Sequence, residues 1–385
     1  LLVDFVKYNP EYYATVRFEL ANWVLHKVDP QLSSIAAKYF WILSCEYENS
    51  LEEQKFSKFP ASWCNKIIFE DSLSEQEVDN IKRVLLDTTF LKQSITLAFE
   101  ENDFDISEIS DDGVWVSKIS SITQNQIYRV SVNTKQGKHY DIQTIINDNI
   151  SDERNLETIL WLVAVSGYPE GPGVLPTLGC ARPELQARSM EFLGDLTVWE
   201  KLRQLSTLKM YGQPFPKLNI LKRLYTEGLA AFVRAWRYSG QKIIPGNVNP
   251  SNVVVPEIDF RDGATILSLA GWKYFDNYTS LIKPMLDNFY LKAIHHYSWI
   301  KEFLDVNWIF NAIMEALRED EAVTVLNNLY DELTRKDILF LDKSLKKELQ
   351  KFIEYINENY YMPLPLIYAI DKYYEWQNSN PNAIP

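Results

Sequence analysis

One stretch of this sequence gathers residues able to do chemistry: 243–272, IIPGNVNPSNVVVPEIDFRDGATILSLAGW. Asn247 and Asn252 offer amides at a Pro/Gly/Asn turn, and Asp259 and Asp262 offer carboxylates a few residues on. A carboxylate can take a proton from a hydroxyl or ligate Mg²⁺; an amide can hydrogen-bond a hydroxyl but cannot accept its proton. An Asn at a turn also commonly bonds neighbouring backbone, which is the plainer use of Asn252. Apolar runs at 253–255 and 266–269 flank the acidic interval, so the stretch reads as strand, turn, strand. Only Pro256 and Glu257 separate the first run from Ile258-Asp259-Phe260, too little chain for an ordinary hairpin, so a metal at Asp259 or Asp262 requires a rearranged loop. Elsewhere there is no nucleophile-elbow, zincin, P-loop or dinucleotide motif. His295 and His296 are adjacent in a helical run, point about 100° apart, and do not face one metal as an i, i+4 pair does.

Pro245-Gly246-Asn247, then Pro250 and Asn252, then an apolar strand, and Leu269-Ala270-Gly271 after a second strand together resemble two loops of the protein-kinase-like fold. They are its catalytic and metal-binding loops, particularly as found in the aminoglycoside phosphotransferase type. That family carries His-Gly-Asp in the first triplet and Asp-Phe-Gly in the second. The resemblance implies an α+β, bilobal fold with a small antiparallel-sheet lobe and a larger helical lobe. It also places Asn247 where the family has the Asp beside the acceptor hydroxyl, and Leu269 where it has the metal-binding Asp. Of the family's polar groups in these loops, Asn252 alone is kept.

Phosphoryl transfer needs a glycine-rich loop over the phosphates, a strand Lys and a metal held by Asp and Asn. The resemblance puts the glycine-rich loop at 120–125, which contains no glycine, and the strand Lys at Gln143, or at Thr144 in the neighbouring register. It places the Lys-pairing helix Glu at Glu153 or Glu157, both of which also suit a solvated helix surface. Glu191 and Leu193, within 189–195, fall on the hinge that would hold a nucleotide. The implied protein is a pseudokinase, a regulatory or protein-binding module with no cofactor. The alternative is a divergent phosphotransferase that uses ATP and Mg²⁺ in the interlobe cleft with Asp259 or Asp262. A third reading is an interaction protein of helices and sheet, unrelated to kinases.

The elements that must position these residues are legible in the periodicity. Residues 9–101 repeat apolar side chains three and four apart, and Ser74 with Glu77 forms a capping-box signal, so a helical amino-terminal domain is expected over 1–108. Alternating patterns at 114–119, 127–132 and 139–146 predict three strands, the last two joined at Lys135-Gln136-Gly137. A helix over 152–165, a loop over 168–176 and a strand over 188–193 complete a small lobe at 109–193. Residues 194–385 then form a helical lobe, with a long amphipathic helix over 218–239 before the loop region.

With 385 residues, 46% of them hydrophobic, the chain can bury two cores. A net charge of −13 with scattered Lys and Arg disfavours nonspecific binding to nucleic acid or anionic membranes. No apolar run approaches the roughly 20 residues needed to span a bilayer. Cys45, Cys64 and Cys180 are odd in number and lack metal spacing, which fits buried thiols in a cytoplasmic protein. The sequence begins at Leu1 without a leader, as expected of a piece of a longer polypeptide. A protein partner or neighbouring domain is expected, docking on an aromatic-rich face at Tyr360, Tyr361, Tyr373, Tyr374 and Trp376.

Overall fold

The structure is a computed structural model that describes residues 12–27, 66–101, 104–119, 126–146, 153–168, 171–182, 185–194, 196–210, 218–256, 263–269, 271–335 and 340–359. It is an α+β chain built on a six-stranded sheet. Packing groups it into two units: Leu1–Gln204 with Ala235–Tyr274, and Leu205–Arg234 with Phe275–Pro385. The boundaries read from the sequence at 108 and 193 both fall inside the first unit.

In the first unit the helices α1 (Tyr13–Lys27), α2 (Glu75–Leu85) and α3 (Thr88–Phe99) accompany the strands β1 (Ile67–Phe69), β2 (Ile109–Lys118), β3 (Gln126–Thr134) and β4 (His139–Ile146). Helix α4 (Glu153–Ser166) leads to the hairpin β5 (Leu178–Arg182) and β6 (Ala187–Glu191). The sheet order is β1-β2-β3-β4-β6-β5, with β1 parallel to β2 and every other pairing antiparallel. Expecting helix alone across 1–108 was wrong at β1: Ile67-Ile68-Phe69 is an apolar run too short to show a period, and it pairs with Val114–Val116 across 47 residues of sequence. The hairpin partner β5 also escapes a propensity reading, because Leu-Gly-Cys-Ala-Arg carries no β-branched or aromatic residue.

The sheet is two-faced because its strands alternate. Tyr128, Val130 and Val132 stand opposite Thr144, Ile142 and Tyr140 in register, all buried on one face. There they share a core with Ile81, Val84 and Leu85 of α2 and Phe90, Leu91 and Ile95 of α3. The expected turn between β3 and β4 closes at Gly137, whose φ of 83° is the left-handed conformation that glycine adopts without a Cβ clash. The capping box at the start of α2 is also present: Ser74 Oγ accepts from the Glu77 amide at 3.4 Å, and the Ser74 amide donates to Glu77 Oε2 at 3.0 Å. Lys118 Nζ, 2.6 Å from Glu77, helps hold that carboxyl down at about 2, ahead of the bonds from Ser74. Replacing Ser74 by Ala removes the cap, and thermal unfolding is expected to show a loss of about 1 kcal/mol.

Helix α5 (Val198–Met210) follows the sheet, and α6 (Leu218–Tyr238) precedes four two-residue strands, β7 (Ile243–Ile244), β8 (Val253–Val254), β9 (Thr265–Ile266) and β10 (Lys273–Tyr274). In the second unit, α7 (Tyr278–Pro284), a π turn at Met285–Leu291 and α8 (Lys292–His296) run consecutively, followed by α9 (Asn307–Ala316), α10 (Glu319–Arg335) and α11 (Phe340–Asn359). Its core is aromatic: Tyr225 meets Phe289, Tyr290 and Trp308, and its hydroxyl donates to the Phe289 carbonyl at 3.0 Å. Among the described residues no helix is long and apolar enough to cross a membrane. The aromatic face expected at 360–376, together with Cys45 and Cys64, lies outside the described residues.

Candidate functional site

The candidate loop hangs from two small β-ladders. β7 pairs antiparallel with β10, Ile244 opposite Lys273, and β8 pairs with β9, Val253 opposite Ile266. The first ladder forces the chain to cross itself at Gly246 and Gly271. A Cβ on Gly246 would stand 1.8 Å from the Gly271 carbonyl oxygen and 1.9 Å from its carbon, so only glycine fits there. Gly271 has φ 73°, which turns the chain back into β10.

Between β7 and β8 the asparagines form a closed set of bonds. Asn249 caps the one-turn helix Pro250–Asn252, its Oδ1 accepting from the Ser251 amide at 2.8 Å, and its own amide nitrogen bonds Asn247 Oδ1. Asn252 is 4% exposed. Its Nδ2 donates to the Asn247 carbonyl at 2.9 Å and to the Ser268 carbonyl at 2.8 Å, while its own carbonyl accepts from the Leu267 amide at 2.9 Å. Both Nδ2 hydrogens are thereby committed to backbone, and Asn252 staples the loop after β7 to the loop after β9. Leu269 is buried beside this staple. The sequence residues Asn247, Asn252 and Leu269 are thus held in one small neighbourhood, as clamp and packing.

The turn after Leu269 is anchored to α4. Trp272 Nε1 donates to Thr158 Oγ1 at 2.9 Å, its ring lies edge-on to Trp161 at 6.0 Å, and the Tyr274 hydroxyl bonds Glu157. Glu157, one of the two helix carboxylates singled out in the sequence, is therefore engaged by a phenol. Of Glu153 only the backbone is described.

Gln143 is buried on β4, opposite Arg129 of β3 and Met190 of β6. It belongs to the other sheet face, where the sequence reading missed a charged cluster. Arg129 makes a fork to Asp141, Nε to Oδ1 at 3.0 Å and Nη2 to Oδ2 at 2.5 Å; Ser131 Oγ and His139 Nε2 reach the same carboxylate at 2.5 and 3.1 Å. Burial alone would raise the Asp141 pKa, but bonds from Arg129, Ser131 and His139 outweigh it and leave the carboxyl below its ordinary value. The Arg129 guanidinium lies 4.9 Å from the centre of the Phe192 ring, and the Phe192 amide is taken by the Asp141 carbonyl at 2.9 Å. The signal was in the pattern: Arg129, Ser131 and Asn133 alternate on one strand, and His139, Asp141 and Gln143 on the next.

Compared with protein-family models and with curated proteins, the chain matches none. The site has to speak for itself.

Glu191 and Leu193 are half-buried at the end of β6, with Glu191 Oε2 accepting from Thr177 Oγ1 at 3.3 Å. After Gly194, Thr197 bridges Val254 of β8, and Lys201 of α5 donates to the Val255 carbonyl at 2.5 Å. Those bonds tie the segment beyond β6 directly to the loop strands. Asp259, Asp262 and the glycine-free loop 120–125 lie outside the described residues. His295 and His296 are exposed at the end of α8, and no group of three or more His, Cys, Asp or Glu among the described residues is placed to hold a metal ion.

Proposed function

We propose that this chain is a kinase-like module without phosphoryl transfer, working as a regulatory or protein-binding unit in the cytoplasm. The observation that carries the reading is the use made of Asn252. In a kinase-like loop this amide would face a metal; here its two hydrogens hold the Asn247 and Ser268 carbonyls. The element order supports the same reading: three antiparallel strands, a helix, a hairpin, two helices, then paired short strands around the candidate loop. Glu157 engages Tyr274, and Gln143 supplies no cation for it to pair with. The Arg129 guanidinium lies over the Phe192 ring, within the segment that the resemblance places at the hinge.

Phosphoryl transfer is positioning and charge neutralisation, so losing the strand cation and metal ligands together removes most of its driving force. The test is incubation of the protein with Mg²⁺ and terminally labelled ATP, following both phosphate release and label incorporation. No turnover above buffer is expected. Turnover that disappears in Asp259→Ala or Asp262→Ala would establish the divergent phosphotransferase instead.

A further inference from the structure

Helix α1 is seated on α4 by an arrangement that neither the candidate loop nor the sheet requires. Arg17, Ala21 and Val24, spaced four and three apart, form its buried stripe. Two of its rings pack beside glycines, Phe18 closely and His26 at ordinary contact distance. A Cβ on Gly167, just past the end of α4, would meet Phe18 Cδ2 at 2.6 Å, and a Cβ on Gly240, just past α6, would meet His26 Cε1 at 3.4 Å. The His26 ring also stands edge-on to Trp161 at 5.7 Å and 74°. Gly167 thus makes a notch for the Phe18 ring, while the His26 ring packs against Gly240 and Trp161 in the last turn of the helix.

We propose that α1 is an acid-released strap: a helix held on α4 by Phe18 in the Gly167 notch and by His26 against Trp161 and Gly240, whose detachment uncovers Trp161 and the apolar surface of α4. The inference is independent of the kinase-like reading. Its chemistry rests on what surrounds His26. Among the described residues, α1 itself brings the charge of Lys27, the segment after α6 that of Lys242, and α4 the neutral Trp161 ring. Burial first, and then these two cations, lower the His26 pKa below its ordinary 6.5. The seated ring is therefore the neutral one. Its contribution is complete above the unfolded value near 6.5 and is lost as pH falls through that value and on toward the lower folded one. Protonation places a third positive charge beside Lys27 and Lys242 and against the Trp161 ring, and α1 can leave without opening the sheet core of α2, α3, β3 and β4.

The test is amide hydrogen exchange on the full chain at pH 7.5 and 5.5, corrected for the intrinsic pH dependence of exchange, in wild type, His26→Phe and Gly167→Val. Residues 13–27 of wild type are expected to lose protection several-fold at pH 5.5 while 128–146 stay unchanged. His26→Phe, which keeps a ring but cannot be protonated, is expected to stay protected at both values. Gly167→Val, which evicts Phe18, is expected to lose protection at both. The strap is overturned by equal protection of 13–27 at the two values in wild type, by His26→Phe opening in acid as wild type does, or by Gly167→Val remaining closed at pH 7.5. Opening of 128–146 together with 13–27 also overturns it, since that is global unfolding.

Discussion

Gly246→Ala is expected to destabilise the first unit by about 3 kcal/mol, the upper end of what forced overpacking typically costs. The added methyl would lie 1.8, 1.9 and 2.6 Å from the O, C and Cα of Gly271, all backbone atoms. No rotamer change relieves that clash, so either the β7/β10 pairing opens or the turn at Gly271 moves. For a unit of 150 to 250 residues such a loss lowers the melting temperature by about 6 to 12 °C. Gly173→Ala is the matched control, because a Cβ there meets nothing within 4 Å. Calorimetry on the two variants should show a large drop in the first and almost none in the second; equal melting temperatures would mean that the crossing of 246 and 271 does not exist.

Asn252→Leu carries the second-largest expected effect. The substitution keeps the branching at Cγ but strips the donors from the Asn247 and Ser268 carbonyls in a site where Asn252 is nearly fully buried. A buried acceptor left without its partner costs about 1 to 3 kcal/mol; both carbonyls are only part-buried, at the low end of that cost, so the two together are expected to cost about 2 kcal/mol. If the amide is a backbone clamp, the loss appears at full size with or without Mg²⁺ in the buffer. A loss seen only when Mg²⁺ is present would show that Asn252 serves a metal after all.

Local features of the fold were legible and long-range ones were not, for a physical reason. The β2, β3 and β4 strands announced themselves by alternation, the Gly137 turn by its glycine, α2 by its Ser74/Glu77 box and α6 by its apolar stripe. Each of those signals lies within a few residues of what it specifies. β1 is set by a partner 47 residues along the chain, and β5, though it pairs with the neighbouring β6, carries no β-branched or aromatic residue to announce it, so nothing in Ile67–Phe69 or Leu178–Arg182 alone dictates a strand. At the site the asparagine turn and the two glycines were readable as a loop. That Asn252 would bond residue 268, that Trp272 would reach Thr158, and that Tyr274 would take Glu157 depended on tertiary placement. The Arg129 and Asp141 pair needed strand register, which alternation suggests but does not fix.

The central claim, that the loop from β7 to β10 is a structural clamp and not a Mg²⁺-ATP site, is tested most directly by the melting temperature of the protein at millimolar ATP, with and without Mg²⁺. A nucleotide site filled to 100 times its dissociation constant adds about 2.7 kcal/mol of stability. At roughly 2 to 4 °C per kcal/mol, real binding would raise the melting temperature by about 5 to 11 °C. No Mg²⁺-dependent rise is expected. A reproducible metal-dependent rise of several degrees, abolished by Asp259→Ala or Asp262→Ala, would contradict the account.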